Sequence, residues 1–185
     1  MNKQKQIYNP FLPLTEYIPD GEPHVFGDRV YLFGSHDRAG GDRYCMNDYV
    51  AYSAMTTNLK EWKYEGIIYR KNQDPRNADG SHCLWAPDVV RGSDGRYYLY
   101  YCLDTLPELG VAVCDTPTGE YQYLDLVRYK DGTPLGTRPT DYIQFDPAVL
   151  VDDDGEVYLF SGNGPKHVKE IYPPSIRRSL CLSRI

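Results

Sequence analysis

The sequence lacks several features that mark common protein classes. No apolar run reaches membrane-spanning length, and the charged N-terminus has no apolar segment of the kind that a secretory signal needs. Lysine and arginine number 20 against 26 acidic residues, and the resulting net charge of -6 provides no basic face for nucleic acid or an anionic membrane. We therefore expect a cytoplasmic protein that binds a neutral or polar ligand and neither nucleic acid nor membranes.

Paired cysteines and helical periodicity are also missing. The five cysteines are scattered without C-x-x-C spacing, which indicates neither a zinc site nor a disulfide framework. The 14 prolines and 16 glycines are spread along the chain and leave room for only a turn or two of helix. Tyrosine is abundant instead, with 18 residues against five phenylalanines, and this favours half-buried strands and surfaces on which sugars stack. The composition predicts an all-β globular protein.

One segment occurs three times, at 20–34, 85–100 and 145–160. Each copy begins with an Asp- or Pro-containing stretch and continues into two short runs of β-branched and aromatic residues around a glycine turn. This pattern predicts three β-hairpins with two-residue turns, because positive φ in such turns favours glycine beside aspartate. The predicted turns are Gly27-Asp28, Asp94-Gly95 and Asp154-Gly155.

Further strand candidates follow the first two hairpins. The runs 49–53 and 58–64 form one predicted pair, and 110–114 and 119–123 form the other. Each unit then holds about four strands, which is the content of one propeller blade. We interpret the chain as an N-terminal portion of a single β-propeller domain with blade-like units at about 20–84, 85–144 and 145–174. The third unit is incomplete, and 175–185 is an atypical tail.

Two carboxylates occupy matching places in the repeat. Asp20 and Asp146 both stand just ahead of the innermost hairpin of their unit. If that strand lines the central channel of a propeller, both side chains reach the same funnel, and glycoside hydrolysis uses two converging carboxylates. Aspartate before proline also commonly caps a turn, so spacing alone leaves a purely structural role open. The acidic run 152–154 lacks the ligand spacing of a calcium loop and predicts a solvated turn rather than a metal site.

The motifs of this chain together resemble glycoside hydrolase family 43. The motifs, in chain order, are Asn9-Pro10, Tyr17-Ile18-Pro19-Asp20-Gly21, Tyr31-Leu32-Phe33-Gly34-Ser35-His36-Asp37, Leu84-Trp85-Ala86-Pro87-Asp88 and Phe145-Asp146-Pro147. Members of this family are five-bladed β-propellers that act mostly on β-xylosides and α-L-arabinofuranosides. The resemblance implies an all-β, five-bladed propeller in the full-length protein, of which this chain holds about two blades and the start of a third.

The resemblance also implies roles for individual residues. It makes Asp20 the general base that activates water, and Asp146 the carboxylate that raises the pKa of the general acid and orients the sugar. Trp85 resembles a wall of the sugar-binding subsite. Phe33, His36 and Asp37 are further candidates for lining this pocket, although a strand-end aromatic residue and a polar turn explain them equally well. Asp88 is interpreted as structural.

The family's general acid, a glutamate on a later blade, has no match in this chain. Glu156 lies on a predicted hairpin turn and Glu170 in a polar stretch near the end. The implied mechanism is single-step inversion, which needs both an acid and a base. We therefore expect the 185-residue chain to be essentially inactive on unactivated substrates. No cofactor or catalytic metal is implied, while a structural Ca²⁺ in the full-length propeller stays open, as does the oligomeric state.

Two alternative functions remain at this point. Propellers that cleave fructans and sucrose also place an aspartate on their first blade, but within an Asn-Asp-Pro-Asn-like motif that the stretch 17–21 does not match. The second alternative is a non-catalytic sugar-binding propeller in which the aspartates only cap turns. The sequence does not distinguish xylosidase from arabinofuranosidase action, or exo from endo cleavage.

Overall fold

Ten β-strands form three antiparallel sheets within residues 10–162, the part of the chain that this computed structural model describes. The only helical segments of this part are two short 3-10 helices, Lys71–Gln73 and Pro75–Asn77. The predicted all-β class is confirmed. The end of the third predicted unit, the tail 175–185 and Glu170 lie outside the described residues.

The first sheet has four strands that follow one another in space as they do in sequence. Each pairs antiparallel with the next, so the sheet is a simple meander. The strands are β1 (Glu22–Phe26), β2 (Arg29–Gly34), β3 (Tyr49–Met55) and β4 (Asn58–Tyr69). The third strand is buried on both faces over its first six residues, as expected for a strand inside a blade that has neighbours on both sides.

The second sheet repeats this arrangement, and the third contributes one hairpin. The strands of the second sheet are β5 (Leu84–Arg91), β6 (Tyr97–Leu103), β7 (Leu109–Cys114) and β8 (Gln122–Leu126). The hairpin pairs β9 (Ala148–Val151) with β10 (Val157–Phe160). The outer strand β8 begins three residues later than predicted, because residue 119 belongs to the preceding turn. Two four-stranded blades and the first hairpin of a third therefore make up the described part.

The first predicted turn is correct, and the other two are longer than predicted. Phe26 pairs with Arg29, which leaves Gly27 and Asp28 as a two-residue loop. In the second sheet the Gly92 N–H donates to the Arg96 carbonyl over 2.8 Å, so the loop has three residues.

The third hairpin repeats this three-residue loop. The Asp152 N–H donates to the Glu156 carbonyl over 2.8 Å, and Gly155 has a φ of 84°, which closes such a loop. The side chain of Asp154 accepts a hydrogen bond from the Glu156 N–H, as Asp94 does from Arg96. Each aspartate thus stabilises the longer loop by capping the backbone two residues ahead.

The sheets pack face to face through two hydrophobic clusters. The cluster between the first and second sheets includes the fully buried rings of Phe33, Tyr49, Tyr69, Tyr101 and Tyr121. A second cluster joins the second sheet to the hairpin of the third and includes Val111, Val149 and Leu159. The outer face of the first sheet is covered in part by Leu12 and Ile18 from the segment before β1. This stacking of twisted sheets about a common side is propeller-like.

A buried polar network anchors the loop between β4 and β5. Asp74 is fully buried and receives hydrogen bonds from Arg76 and, over 2.6 Å, from the Tyr101 hydroxyl. The Tyr101 hydroxyl also lies 2.8 Å from that of Tyr69. Burial by itself would raise the pKa of Asp74, but the hydrogen bonds from Arg76 and Tyr101 outweigh it and hold that pKa below its ordinary value.

The strand directions bring one set of loops to the same end of the sheets. β1, β5 and β9 all begin at this end, and the loops β2–β3 (35–48), β4–β5 (70–83), β6–β7 (104–108) and β8–β9 (127–147) all connect strands there. We call it the funnel end. The hairpin turns at 27–28, 93–95 and 153–155 lie at the opposite end. Residues placed just before an innermost strand are therefore neighbours even when they are far apart in sequence.

The described part of the chain contains no helix that is long and apolar enough to cross a bilayer. Four of its cysteines are free thiols, and three of them, Cys45, Cys83 and Cys102, are buried. The fifth, Cys181, lies outside the described residues. Burial raises the pKa of Cys45 to about 11 and that of Cys102 to about 12, so neither thiol is ionised near neutral pH.

Candidate active site

A residue in the left-handed backbone conformation lies near the start of the innermost strand of each sheet. Asp20 (φ 54°) and Asp146 (φ 47°) lie two residues before β1 and β9, and Ala86 (φ 32°) is the third residue of β5, where the pairing with β6 is irregular. Only five non-glycine residues between 10 and 162 have a positive φ, and three of them are these equivalents. Aspartate tolerates this conformation better than most residues. The repeat seen in the sequence is thus also a repeat of backbone geometry.

The two predicted catalytic carboxylates meet at the funnel end. Asp20 and Asp146 are both exposed there, each two residues before its strand. The pKa of Asp146 is raised, mainly because its surroundings remove part of its hydration and also because the negative charge of Asp20 is nearby. The charge of Asp20 is thus close enough to act on Asp146. The structure therefore brings together the pair that the sequence repeat identified.

Ser35, which the sequence reasoning missed, connects the first two innermost strands at the site. It follows β2 directly and is fully buried. Its hydroxyl accepts a hydrogen bond from the Ala86 N–H over 2.7 Å and lies 3.4 Å from Asp20 Oδ2, to which it donates. The sequence signal for Ser35 is a small polar residue immediately after a strand that ends at the funnel.

Trp85 lies beside Asp146 with its ring against a neighbouring segment. Its ring and that of Phe145 meet edge to face with centroids 5.2 Å apart. Its carbonyl accepts a hydrogen bond from the Tyr49 hydroxyl over 2.8 Å, which fixes the backbone before Ala86. The indole Nε1 is buried and has no partner among the residues that the structure describes. A buried donor without a partner is an exception in folded proteins.

Phe33 does not line the site. The sequence reasoning offered it as a pocket residue, but its side chain is fully buried in the cluster between the first two sheets. Its ring lies between those of His24 and Tyr31, with centroid separations of 6.2 Å to each. β2 is covered on both faces, so its alternating side chains, such as Leu32 and Phe33, enter two hydrophobic layers rather than one layer and a pocket. We place Phe33 in the core.

His36 and Asp37 hold the β2–β3 loop. The Nδ1 atom of His36 lies 3.1 Å from the Asp48 carbonyl, and its Nε2 lies 3.5 Å from a carboxylate oxygen of Glu16. The side chain of Asp37 accepts a hydrogen bond from the Cys45 N–H over 2.6 Å. These contacts assign both residues to the shape of the loop. A direct contact with substrate stays a prediction for them.

Asp88 joins all three sheets, in keeping with the structural role expected for it. Only 4% of Asp88 is exposed. One of its carboxylate oxygens lies 2.6 Å from His24 Nε2 on β1, and the other accepts a hydrogen bond over 2.6 Å from the Val149 N–H on β9. Asp88 therefore positions the innermost strands that carry Asp20 and Asp146 relative to each other. Within residues 10–162, no three His, Cys, Asp or Glu side chains come together as a metal site.

Blade-like sheets around a site with carboxylates on separate blades define a partial β-propeller of the kind found in glycosidases. The sequence model of the glycosyl hydrolases family 43 matches residues 8–179. The chain belongs to this family.

Two curated relatives illustrate the likeness. The chain is 58% identical over 163 residues to a xylosidase/arabinosidase of Thermoclostridium stercorarium, which covers 88% of this chain and 34% of the relative. It is 33% identical over 157 residues to xylosidase/arabinosidase 43A of Humicola insolens, with 79% of this chain and 43% of the relative covered. The chain thus spans between a third and a half of the length of these relatives.

Solved structures show the same fold. The GH43_1 enzyme of Xanthomonas citri in complex with xylotriose matches with a TM-score of 0.64 and 28% identity, covering 82% of this chain and 42% of that one. The complex of this enzyme with xylose matches with a TM-score of 0.62 and 30% identity, covering 80% and 40%. The predicted propeller class and the resemblance to glycoside hydrolase family 43 are confirmed.

Proposed function

We propose that residues 1–185 carry the base side of the catalytic site of an inverting glycosidase that acts on xylose- or arabinose-containing plant polysaccharides or oligosaccharides. The observation that carries this proposal is the matched pair Asp20 and Asp146, in equivalent left-handed positions and close enough that the charge of Asp20 helps to raise the pKa of Asp146. Names of relatives support the pentose substrate, since they include xylosidase/arabinosidases and a structure with xylotriose bound.

In the proposed mechanism, Asp20 is the general base. It accepts a proton from a water molecule that attacks the anomeric carbon, while a carboxylic acid on the other side of the sugar protonates the leaving oxygen. Such single-step inversion places acid and base carboxyls roughly 6.5 to 9.5 Å apart, which leaves room for the water. The Ser35 hydroxyl contacts Oδ2 of Asp20 and so limits the rotation of the carboxylate. A fixed base favours attack along one direction.

Asp146 and Trp85 form the proposed sugar-binding side. The negative charge of Asp146 raises the pKa of a neighbouring acid and so keeps it protonated. Trp85, packed against Phe145 next to Asp146, provides an aromatic wall for the sugar in this proposal.

The 185-residue chain itself is proposed to be inactive on unactivated substrates. No glutamate matches the acid of the family, and Glu156 lies at the turn end of the β9–β10 hairpin, opposite the funnel. Without a positioned acid, a sugar alkoxide is a poor leaving group, and general acid catalysis typically contributes on the order of 10² to 10⁴ in rate. Dinitrophenolate needs little protonation, so an activated glycoside reports on the base alone.

The test compares two substrates with the purified chain. With 2,4-dinitrophenyl β-xylopyranoside, we expect Asp20→Asn to lower kcat on the order of 100-fold or more, within the usual range for loss of a general base. Asp153→Asn, at an exposed turn position away from the funnel, is the matched control and should keep the wild-type rate. Equal rates for wild type and Asp20→Asn would show that Asp20 is not the general base. Release of xylose from xylotriose would contradict the proposed inactivity.

The product configuration separates this proposal from the fructan-type mechanism. Inversion at the anomeric carbon should appear in a proton NMR spectrum taken early in the reaction, whereas a retaining mechanism with an aspartate nucleophile gives the opposite anomer.

The missing acid favours sugar binding without catalysis as the second candidate function. In that case the chain binds xylotriose, Asp20→Asn leaves the affinity unchanged, and even the activated substrate is not turned over.

A further inference from the structure

The β2–β3 and β4–β5 loops form one continuous surface at the funnel end. A guanidinium nitrogen of Arg43 donates to the Ser81 carbonyl over 3.3 Å. Lys71 donates from its side chain to the Met46 carbonyl over 2.9 Å and from its backbone N–H to a carboxylate oxygen of Asp48 over 3.0 Å. The two loops are therefore fastened together at several points rather than held only by their own strands.

Buried cysteines from the two loops lie under this surface. Cys45 and Cys83 are 3% and 1% exposed. Burial is the main cause of the raised pKa of Cys45, and its neighbours Ser35, Asp20 and Cys83 also influence that pKa. The contact with Ser35 places this surface next to the proposed base.

The chain neighbours of these cysteines face outward. Tyr44 is 74% exposed, and the side chain of His82 is 28% exposed. An aromatic ring and an imidazole thus stand on the rim of the funnel, one from each of the two fastened loops. We call this pair of residues the rim pair.

The imidazole of His82 is held in one orientation. Its Nδ1 atom lies 3.0 Å from the Asp104 carbonyl, 3.2 Å from the Asp104 carboxylate and 3.2 Å from the Thr105 hydroxyl. The same Asp104 oxygen accepts a hydrogen bond from the Cys83 N–H over 2.8 Å. The Nε2 atom forms no hydrogen bond to any residue in the described part. The Nδ1 edge of the imidazole is therefore fixed, whereas Nε2 has no hydrogen-bond partner among the described residues.

Strained backbone accompanies both members of the rim pair. Cys45, next to Tyr44, has a φ of 56°, and Thr105, which contacts His82, has a φ of 65°. Positive φ is a genuine outlier for a β-branched residue such as threonine. Observed strain of this kind is concentrated at ligand sites, where the surrounding structure holds it. The other non-glycine residues with a positive φ between residues 10 and 162 are Ala86 and the two residues of the proposed catalytic site, Asp20 and Asp146.

We propose that Tyr44 and His82 form a second sugar subsite, which contacts pentose units of an oligosaccharide beyond the unit held at Asp20 and Asp146. Tyrosine offers a flat apolar face with a polar tip, on which a sugar ring stacks, and an open imidazole nitrogen exchanges hydrogen bonds with hydroxyl groups. The net charge of -6 disfavours an anionic ligand. The proposal rests on the proposed function for the identity of the sugar.

The test measures the binding of xylose and of xylotriose to the 185-residue chain by NMR titration. We expect Tyr44→Ala and His82→Gln each to weaken xylotriose binding about threefold to tenfold, the loss typical of one stacking contact or hydrogen bond. Xylose binding should not change. Tyr64→Ala is the matched control, because Tyr64 is 52% exposed on β4, where it packs against Tyr52 instead of the funnel loops.

Several outcomes would overturn the proposal. These are an unchanged ratio of xylotriose to xylose affinity in both rim variants, an equal loss in Tyr64→Ala, and no binding of xylotriose by the wild-type chain. Asp20→Asn and Asp146→Asn distinguish this from failure of the proposed function. If those variants leave xylose binding and dinitrophenyl xyloside turnover unchanged while the rim variants weaken xylotriose binding, the rim subsite stands and the catalytic assignment fails.

Discussion

The Ser35 hydroxyl donates to Asp20 Oδ2 over 3.4 Å while it accepts the Ala86 N–H over 2.7 Å. The proposed base on the first blade is thereby tied to the left-handed residue near the start of the second blade. Ser35 is fully buried, so water does not replace these bonds easily. The position of Asp20 thus depends on the packing of two blades and not only on its own turn.

Removal of the Ser35 hydroxyl should destabilise the chain. Ser35→Ala leaves the N–H of the half-buried Ala86 without its fully buried acceptor, and an unsatisfied donor that water does not reach costs about 1–3 kcal/mol. Urea unfolding followed by circular dichroism should show this loss in the free energy of unfolding. Ser93→Ala, in an exposed turn, should change it by less than about 0.5 kcal/mol. A Ser35→Ala variant as stable as wild type would show that another group satisfies the Ala86 amide.

The raised pKa of Asp146 predicts that the stability difference between wild type and Asp146→Asn depends on pH. Its pKa is raised above the ordinary value of 3.8, so the folded chain binds this proton more tightly than the unfolded chain does. The resulting stabilisation is present at acidic pH and is lost as the pH rises through the raised pKa. Asp146→Asn removes the effect, and asparagine tolerates the left-handed backbone. The variant should therefore gain stability relative to wild type between pH 3 and pH 7.

Urea midpoints at several pH values check this difference. A variant whose stability relative to wild type falls toward pH 7 would contradict it. Asp20→Asn provides a second measurement. It removes the neighbouring negative charge, so the pKa of Asp146 should fall in a carboxyl ¹³C NMR titration. An unchanged titration would mean that the two carboxylates do not share a site.

Asp74 should be one of the most sensitive positions for stability. Asp74→Asn breaks the ion pair of the fully buried Asp74 with Arg76, whose side chain is 20% exposed, and weakens the bond from the Tyr101 hydroxyl. Removing one partner of a buried pair typically costs about 3–5 kcal/mol. Because the pKa of Asp74 is lowered in the folded chain, its stabilisation is present at neutral pH and is lost as the pH falls through that pKa.

Thermal unfolding at pH 7 measures the effect of Asp74→Asn. Asp94→Asn is the control, since Asp94 and Arg96 form an exposed pair whose loss should lower the unfolding temperature much less. Equal effects of the two variants would show that burial does not strengthen the Asp74 network.

Asp88→Ala should loosen the third sheet more than the first. The Val149 N–H loses its acceptor on the second sheet, and His24 loses its partner. Amide hydrogen exchange should accelerate at Val149 and along β9, while amides of β3 keep most of their protection. Asp125→Ala, which removes an exposed ion pair with Arg128, is the control. Uniform acceleration over all strands would indicate global destabilisation instead of a local tie between blades.

Much of the fold was predictable because its signals are local. Short runs of β-branched and aromatic residues between glycine turns predicted the innermost hairpins, and the repeat predicted that Asp20 and Asp146 are equivalent. The length of two turns was not predictable in the same way. Asp94 and Asp154 each cap a three-residue loop, and the dipeptide Asp-Gly is compatible with both loop lengths.

The sequence predicted the two carboxylates of the candidate site but not the residues that hold them in place. Phe33 was placed in the pocket by its motif, yet it is a core residue, because both faces of a blade strand are covered. Ser35 was missed, because its partner Ala86 is 51 residues away in sequence. No repeating pattern in the sequence relates Ser35 to Ala86.

The sequence by itself determined the strand content, the all-β class and the recurrence of an aspartate before the innermost strand, since alternation, turn chemistry and repeat spacing are properties of neighbouring residues. Only the tertiary structure decided which side chains serve the site. The bond from Val149 to Asp88 spans 61 residues, and the one from Ala86 to Ser35 spans 51. These bonds form only after separate sheets pack, because packing buries the groups and makes each unmet hydrogen bond costly.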